Sequence, residues 1–178
     1  MFMIFVLLSL AVSAFEVFMA YVCAVAPQRF ASLPRNVRCG VALGVPCLVW
    51  AAWHACVMLE GGLARFHVIV WLLVPTIAVL AYFFLDYLFA RALGGFFILA
   101  ANEIIHGAFT YDIPLRPLFS VVCLILGIVG LFMLGTPWNM RDAIQHAASN
   151  RKHGKWMGTA FAFGGVVVAA LSIPALWK

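Results

Sequence analysis

The polypeptide alternates long apolar runs with short polar segments. Six apolar runs predict helices over roughly 3–26, 37–58, 66–84, 88–109, 118–134 and 155–176. Each is close to the roughly 20 apolar residues that a helix needs to cross the hydrocarbon core of a bilayer. Prolines, glycines and charged residues separate the runs, and these residues break or end helices. The pattern predicts a single all-α transmembrane domain over 1–178, an integral membrane bundle of six helices.

Composition supports a lipid environment. Of the 178 residues, 66% are hydrophobic and 10% are charged, whereas soluble domains have about 45–50% apolar and about 25% charged residues. This balance excludes a soluble domain, a disordered chain and a disulfide-rich secreted module. The cysteines lie in or beside apolar runs and none forms a C-x-x-C motif, so we interpret them as small buried hydrophobic residues.

The net charge of +5 comes from basic residues in the loops between predicted helices. Loops 1, 3 and 5, which follow the first, third and fifth predicted helices, carry Arg29, Arg35, Arg38, Arg91, Arg141, Arg151, Lys152 and Lys155. The opposite side carries Arg65, Arg116 and Lys178. The positive-inside rule predicts that loops 1, 3 and 5 are cytoplasmic. We expect a multi-pass protein of a bacterial inner membrane that contacts the lipid bilayer and no nucleic acid.

A short motif occurs at two of the helix entries. The segments 36–44 and 150–158 both read N-x-[RK]-x-G-x-x-[LM]-G, and the segment 91–95 resembles them more weakly. A basic residue here anchors the helix at the lipid headgroups, and the glycines allow close helix contact. The motif favours three helical hairpin repeats of one orientation. Chance similarity between compositionally biased segments is the alternative explanation.

Four ionisable residues fall within the predicted spans and are therefore candidate functional residues, because ionisable groups are costly inside a bilayer. They are Glu16, His54, Glu103 and His106. His54 and His106 fall at similar depth near the outer ends of two helices that run the same way. Glu103 shares a helix face with His106, since the two are three residues apart.

The first hypothesis for these residues is a b-type haem, held on its two faces by His54 and His106. The flanking Trp50 and Trp53 and the nearby Phe96 and Phe97 are able to pack on a macrocycle. The chain would then be an electron-transfer subunit of the membrane.

A metal ion is the second hypothesis, with His54, His67, Glu103 and His106 as its ligands. Imidazole combined with carboxylate suits zinc, copper or non-haem iron. Glu103-x-x-His106 has the spacing found in carboxylate-bridged di-iron bundles, although those bundles use two copies and this sequence has one.

The third hypothesis is a proton or cation path through Glu16, Asn102 and Glu103, with His106 beside it. Two carboxyl groups at similar depth would share a proton, because like charges resist ionising together. The competing structural interpretation, which we favour over all three, is that these groups form interhelical hydrogen bonds or lie in the wet membrane interface.

Motifs of soluble catalysis are missing from the sequence, including the P-loop, G-x-S-x-G and H-E-x-x-H. No polar segment between the predicted helices exceeds about 20 residues, the length of one membrane span. We therefore expect a non-enzymatic scaffold or a small subunit of a membrane complex, in contact with other membrane subunits. The haem-binding and the proton- or cation-translocating functions are the alternatives.

Overall fold

The computed structural model describes residues 2–25, 27–30, 32–110 and 116–172. Within these ranges the chain is helical with no strand, which confirms the predicted all-α class. The α-helices are α1 (Phe2–Ala24), α2 (Val37–Met58), α3 (His67–Phe84), α4 (Leu88–Thr110), α5 (Arg116–Gly135), α6 (Trp138–Ser149) and α7 (Arg151–Ser172). Short 3-10 turns at Pro27–Phe30, Leu33–Arg35 and Gly61–Phe66 connect some of them.

Five helices among the described residues are long and apolar enough to cross a membrane. They cover Val6–Ala24, Val37–Met58, Leu63–Phe84, Leu88–Thr110 and Arg116–Gly135. The sixth predicted span, 155–176, overlaps α7, and its last four residues lie outside the described part of the chain. The number of six spans therefore stays a prediction.

The helix α6 is the main difference from the sequence prediction, which treated 135–154 as a loop. This helix is short and polar on average, so a search for long apolar runs passes over it. Its buried residues Met140, Ile144 and Ala147 follow the i, i+4, i+7 spacing of an amphipathic helix. That spacing was the feature of the sequence from which this helix could have been predicted. The helix lies against the turn at Pro27–Phe30 and against α7.

The helix α4 occupies the centre of the bundle. It packs along α5 on one side and α2 on the other, and it also touches α1. The first and last helices, α1 and α7, pair along their lengths, whereas α3 packs mainly against α2. No residue of α3 is buried, so this helix forms one edge of the bundle.

Glycines bring two antiparallel helix pairs into backbone contact. A Cβ atom on Gly94 of α4 would lie 2.6 Å from the carbonyl oxygen of Gly130 on α5. Between α1 and α7, a Cβ on Gly154 would lie 2.6 Å from the carbonyl oxygen of Cys23. A Cβ on Gly158 would lie 2.9 Å from the Ala20 oxygen. These separations leave no room for any side chain, so small residues set how closely the helices pack.

The repeated motif has the same local role at both of its complete copies. The side chains of Asn36 and Asn150 accept hydrogen bonds from backbone N–H groups, of Cys39 at 3.2 Å and Lys152 at 3.0 Å. The first motif glycine, Gly40, contacts α4, as Gly154 contacts α1. The three-hairpin repeat itself is not confirmed: α2 packs against α3 and α4 against α5, but α1 packs mainly against α7, and α2 also packs against α4.

Loops 1, 3 and 5 meet at one end of the bundle, which we call the basic end. The guanidinium of Arg35 lies 4.9 Å from the centre of the Tyr87 ring, and Arg141 of α6 donates a hydrogen bond to the Tyr87 hydroxyl at 3.0 Å. Arg91 donates to the carbonyl oxygen of Leu134 at 3.0 Å. Hydrogen bonds and charge from the adjacent Asp142 raise the pKa of the Arg141 guanidinium. Contacts among these residues place the three loops together, and their cytoplasmic location stays a prediction.

Replacing Gly94 with alanine is expected to destabilise the α4–α5 contact, by about 1–3 kcal/mol for an overpacked site. Gly95 is the matched control, because a Cβ there meets nothing within 4 Å. Alanine at position 95 should raise stability by up to about 1 kcal/mol through helix propensity. Thermal unfolding of both variants in detergent checks this. Equal shifts of the midpoint in the two variants would contradict the described α4–α5 contact.

Candidate functional site

The ionisable residues inside the spans form two separate polar assemblies. The α2–α4 pair consists of His54 and Glu103. The α1–α7 seam consists of Ser13 and Glu16 of α1, which face Gly164 and Gly165 of α7. The structure thus divides the residues that the sequence grouped by depth alone.

In the α2–α4 pair, Nε2 of His54 lies 3.3 Å from a carboxylate oxygen of Glu103. The helices run parallel from the basic end, where Gly40 contacts Leu88. His54 and Glu103 come 17 and 15 residues after the first residues of their helices. At about 1.5 Å per residue, both lie about 23–26 Å from that end. Both side chains are about a quarter exposed, at 28% and 27%.

An aromatic layer lies beside this pair. The ring of Trp50 is 6.0 Å from the His54 ring and 6.4 Å from the Phe96 ring, measured between centroids. Trp50 precedes His54 by one helical turn, so it lies on the same face of α2 and nearer the basic end. The layer therefore separates the polar pair from the part of the α2–α4 contact that is nearer the basic end.

The two remaining candidate histidines lie elsewhere. The Nε2 atom of His67 forms a hydrogen bond with the carbonyl oxygen of Leu59 at 2.8 Å, which closes the turn between α2 and α3. His106 lies on α4 one turn beyond Glu103, and its side chain is exposed. Asn102 is also exposed on α4.

These positions bear on the metal and haem hypotheses. Within the ranges the structure describes, no three His, Cys, Asp or Glu side chains form a group that could hold a metal ion. Of the four predicted ligands, the structure brings together His54 and Glu103. The haem hypothesis for His54 and His106 stays a prediction. Ligation through Nε2 of His54 would require this atom to exchange Glu103 for iron.

In the α1–α7 seam, the hydroxyl of Ser13 donates to the carbonyl oxygen of Gly165 at 2.8 Å. Glu16 is buried, with 6% of its surface exposed, and its Oε2 atom has no hydrogen-bond partner among the described residues. A Cβ on Gly164 would lie 3.2 Å from Oε1 of Glu16. The two glycines of α7 therefore make the space that the carboxyl group occupies.

The predicted path through Glu16, Asn102 and Glu103 is not assembled by direct contact among the described residues. Glu16 is directed toward α7, Glu103 toward α2, and Asn102 toward the outside of the bundle. A depth calculation places groups along the membrane normal, and it does not give their rotation about each helix axis. The path stays a prediction.

The sequence reasoning missed the pairing of His54 with Glu103, although the signal was present. Both residues lie at similar counts from helix starts on the basic side, which implies equal depth on parallel helices. It also missed Ser9 and Ser13, which are buried on α1. Their spacing to Glu16 follows i, i+4, i+7 and places all three on one face.

Comparisons of the chain with protein-family models, curated proteins and solved structures give no match.

A double-mutant cycle is expected to show coupling between His54 and Glu103. Interhelical polar contacts in membranes contribute about 0.6 kcal/mol on average and about 1.7 kcal/mol at most, so the coupling should fall in this range. Unfolding free energies of His54→Leu, Glu103→Leu and the double variant in detergent measure it. A cycle of His54→Leu with His106→Leu is the control and should show none. Coupling between His54 and His106, with none between His54 and Glu103, would contradict the described pair.

Proposed function

We propose that this chain is a non-enzymatic multi-pass membrane protein that serves as a small subunit of a larger membrane complex. The outer half of α4 would contact a transmembrane helix of a partner subunit. The observation that carries this proposal is that polar side chains face outward on α4, a helix long and apolar enough to cross a membrane. In keeping with the positive-inside rule, we assign the basic end to the cytoplasmic side of a bacterial inner membrane.

Asn102 and His106 form this outward face, which we call the α4 polar strip. Asn102 and His106 are four residues apart and both exposed, and the partly exposed Glu103 lies beside them. Asn102 and His106 come 14 and 18 residues after Leu88, about 21 and 27 Å along the helix. Both positions fall within a hydrocarbon core about 30 Å thick.

Lipid tails offer no hydrogen bonds to an amide or an imidazole, so exposure of these groups to lipid is unfavourable. A neighbouring transmembrane helix that carries polar groups satisfies them. Such contacts are typical of interfaces between membrane helices. The exposed apolar residues of α3, by contrast, suit lipid and need no partner.

A photoreactive side chain at the strip tests this proposal. Phe109 lies on the same face of α4, is 58% exposed, and tolerates replacement by p-benzoylphenylalanine because the ring is retained. Illumination in native membranes should cross-link position 109 to one partner protein. The same replacement at Phe163 of α7, which is 71% exposed, is the control and should cross-link to lipid.

Asn102→Leu combined with His106→Leu should reduce this cross-link at least tenfold. Ile128→Leu, at an exposed site on α5, should leave it unchanged. Two results oppose the proposal: no protein cross-link at position 109 in native membranes, or a cross-link that the double variant retains in full.

A second candidate function is proton or cation transfer that uses Glu16. The specific observation is the buried carboxyl in the α1–α7 seam with an oxygen that lacks a partner among the described residues. A buried acceptor without a partner costs about 1–3 kcal/mol. Ionisable groups retained inside membranes commonly mark ion or proton paths. This candidate relies on Glu16 alone and not on the longer path.

Glu16→Gln is expected to abolish proton or cation flux in proteoliposomes, because the amide cannot take up and release a proton or neutralise a cation. Ser13→Ala is the matched control in the same seam, and it should retain most of the flux. Thermal unfolding verifies that both variants fold. Flux in Glu16→Gln equal to that of the unchanged protein argues against this function.

A further inference from the structure

A cavity lined in part by sulfur-containing residues lies near the basic end of the bundle. It has a volume of about 190 Å³ and lies between α1, α4, α5, α6 and α7. Five of its lining residues carry sulfur: Met19, Cys23, Met133, Met140 and Met157. We call it the sulfur cavity. It is separate from the α2–α4 pair and from the α4 polar strip.

The sulfur content of this lining is far above that of the chain. Five of the fourteen lining residues contain sulfur, whereas all 178 residues contain seven methionines and five cysteines. Met58, which does not line the cavity, is 80% exposed. Burial by itself does not account for this convergence, since leucine, isoleucine and phenylalanine serve equally well in a core.

Four helices contribute the sulfur-containing residues of the lining. Met19 and Cys23 are four residues apart on α1 and share a face, while α5, α6 and α7 contribute one methionine each. Met19, Cys23 and Met140 are 5%, 2% and 5% exposed. Methionine has three rotatable bonds and adapts its shape to irregular gaps. The thioethers are therefore able to turn into the open space and meet around a small guest.

The chemistry of the lining selects a soft monovalent ion. Soft thioether and thiolate ligands suit Cu(I), zinc and iron–sulfur clusters, and charge distinguishes among these. Cys23 is the one titratable residue in the lining, so its thiolate would neutralise a single positive charge. A divalent ion such as Zn²⁺ would keep an uncompensated charge in an apolar cavity, which is strongly unfavourable.

We propose that the sulfur cavity binds one Cu(I) ion through the Cys23 thiolate and the thioethers of two or three of the surrounding methionines. On binding, the S–H bond of Cys23 breaks and its proton passes to water as the copper–sulfur bond forms. Copper enters as Cu(I) and leaves as Cu(I), so no electron is transferred. The proposal is independent of the partner-binding function of α4.

Metal titration of the purified full chain in detergent tests this inference. Under reducing, anaerobic conditions, Cu(I) is titrated in competition with bicinchoninate, and Ag(I) serves as a surrogate that is stable to oxidation. The unchanged protein should bind one equivalent of either ion and should bind Zn²⁺ at least 100-fold more weakly. Cys23→Ser should weaken Cu(I) binding at least 100-fold.

Methionine variants separate a ligand role from a packing role. Leucine conserves the volume of methionine and usually costs less than about 1.5 kcal/mol, so Met140→Leu should retain the fold while weakening Cu(I) binding at least tenfold. Met58→Leu and Cys39→Ser, both at exposed positions, are the matched controls and should bind Cu(I) normally.

Circular dichroism verifies that each variant is folded. Absence of Cu(I) and Ag(I) binding in the folded, unchanged protein would overturn the proposal. Unchanged binding when all four lining methionines are replaced by leucine would overturn it as well, since binding would then not depend on the sulfur cavity.

Discussion

Direct backbone contact between helices is the constraint on which the rest of this structure depends. Five of the described helices are long and apolar enough to cross a membrane, and burial of apolar area contributes little to the association of such helices in lipid, because lipid tails are equally apolar. Association relies on close van der Waals packing and interhelical polar contacts. The glycines at Gly94 and Gly130, and at Gly154 and Gly158, provide that packing for the α4–α5 and α1–α7 pairs.

The two close pairs determine where the remaining elements lie. Because α1 packs against α7, the first and last described helices lie side by side. The central helix α4 contacts α2, α5 and α1. The same arrangement gathers loops 1, 3 and 5 around Tyr87, with Arg35 and Arg141 on its ring. The amphipathic α6 packs at the basic end of the bundle, where Met140 lines the sulfur cavity.

The polar groups inside the spans differ in how the fold satisfies them. Glu103 pairs with His54 on the adjacent parallel helix, and the Ser13 hydroxyl donates a hydrogen bond to a carbonyl oxygen on α7. Glu16 retains an oxygen without a partner among the described residues, and the side chains of Asn102 and His106 point away from the bundle. Polar groups that find partners within the bundle stabilise it, whereas polar groups left unsatisfied on apolar helices are where contacts with an ion or another chain are favourable.

The sequence by itself determined the helical class and the segregation of basic residues to alternate loops. It predicted six apolar spans, and five of the described helices are long and apolar enough to cross a membrane. These features are local, since length, apolar content and loop charge do not depend on which helices touch. Tertiary structure alone decided that His54 faces Glu103, that Glu16 faces α7, and that five sulfur-containing residues line one cavity. Such contacts depend on the rotation of each helix about its axis and on its neighbours. In a uniformly apolar span the hydrophobic pattern carries little information about that rotation, because lipid and protein interiors favour the same side chains.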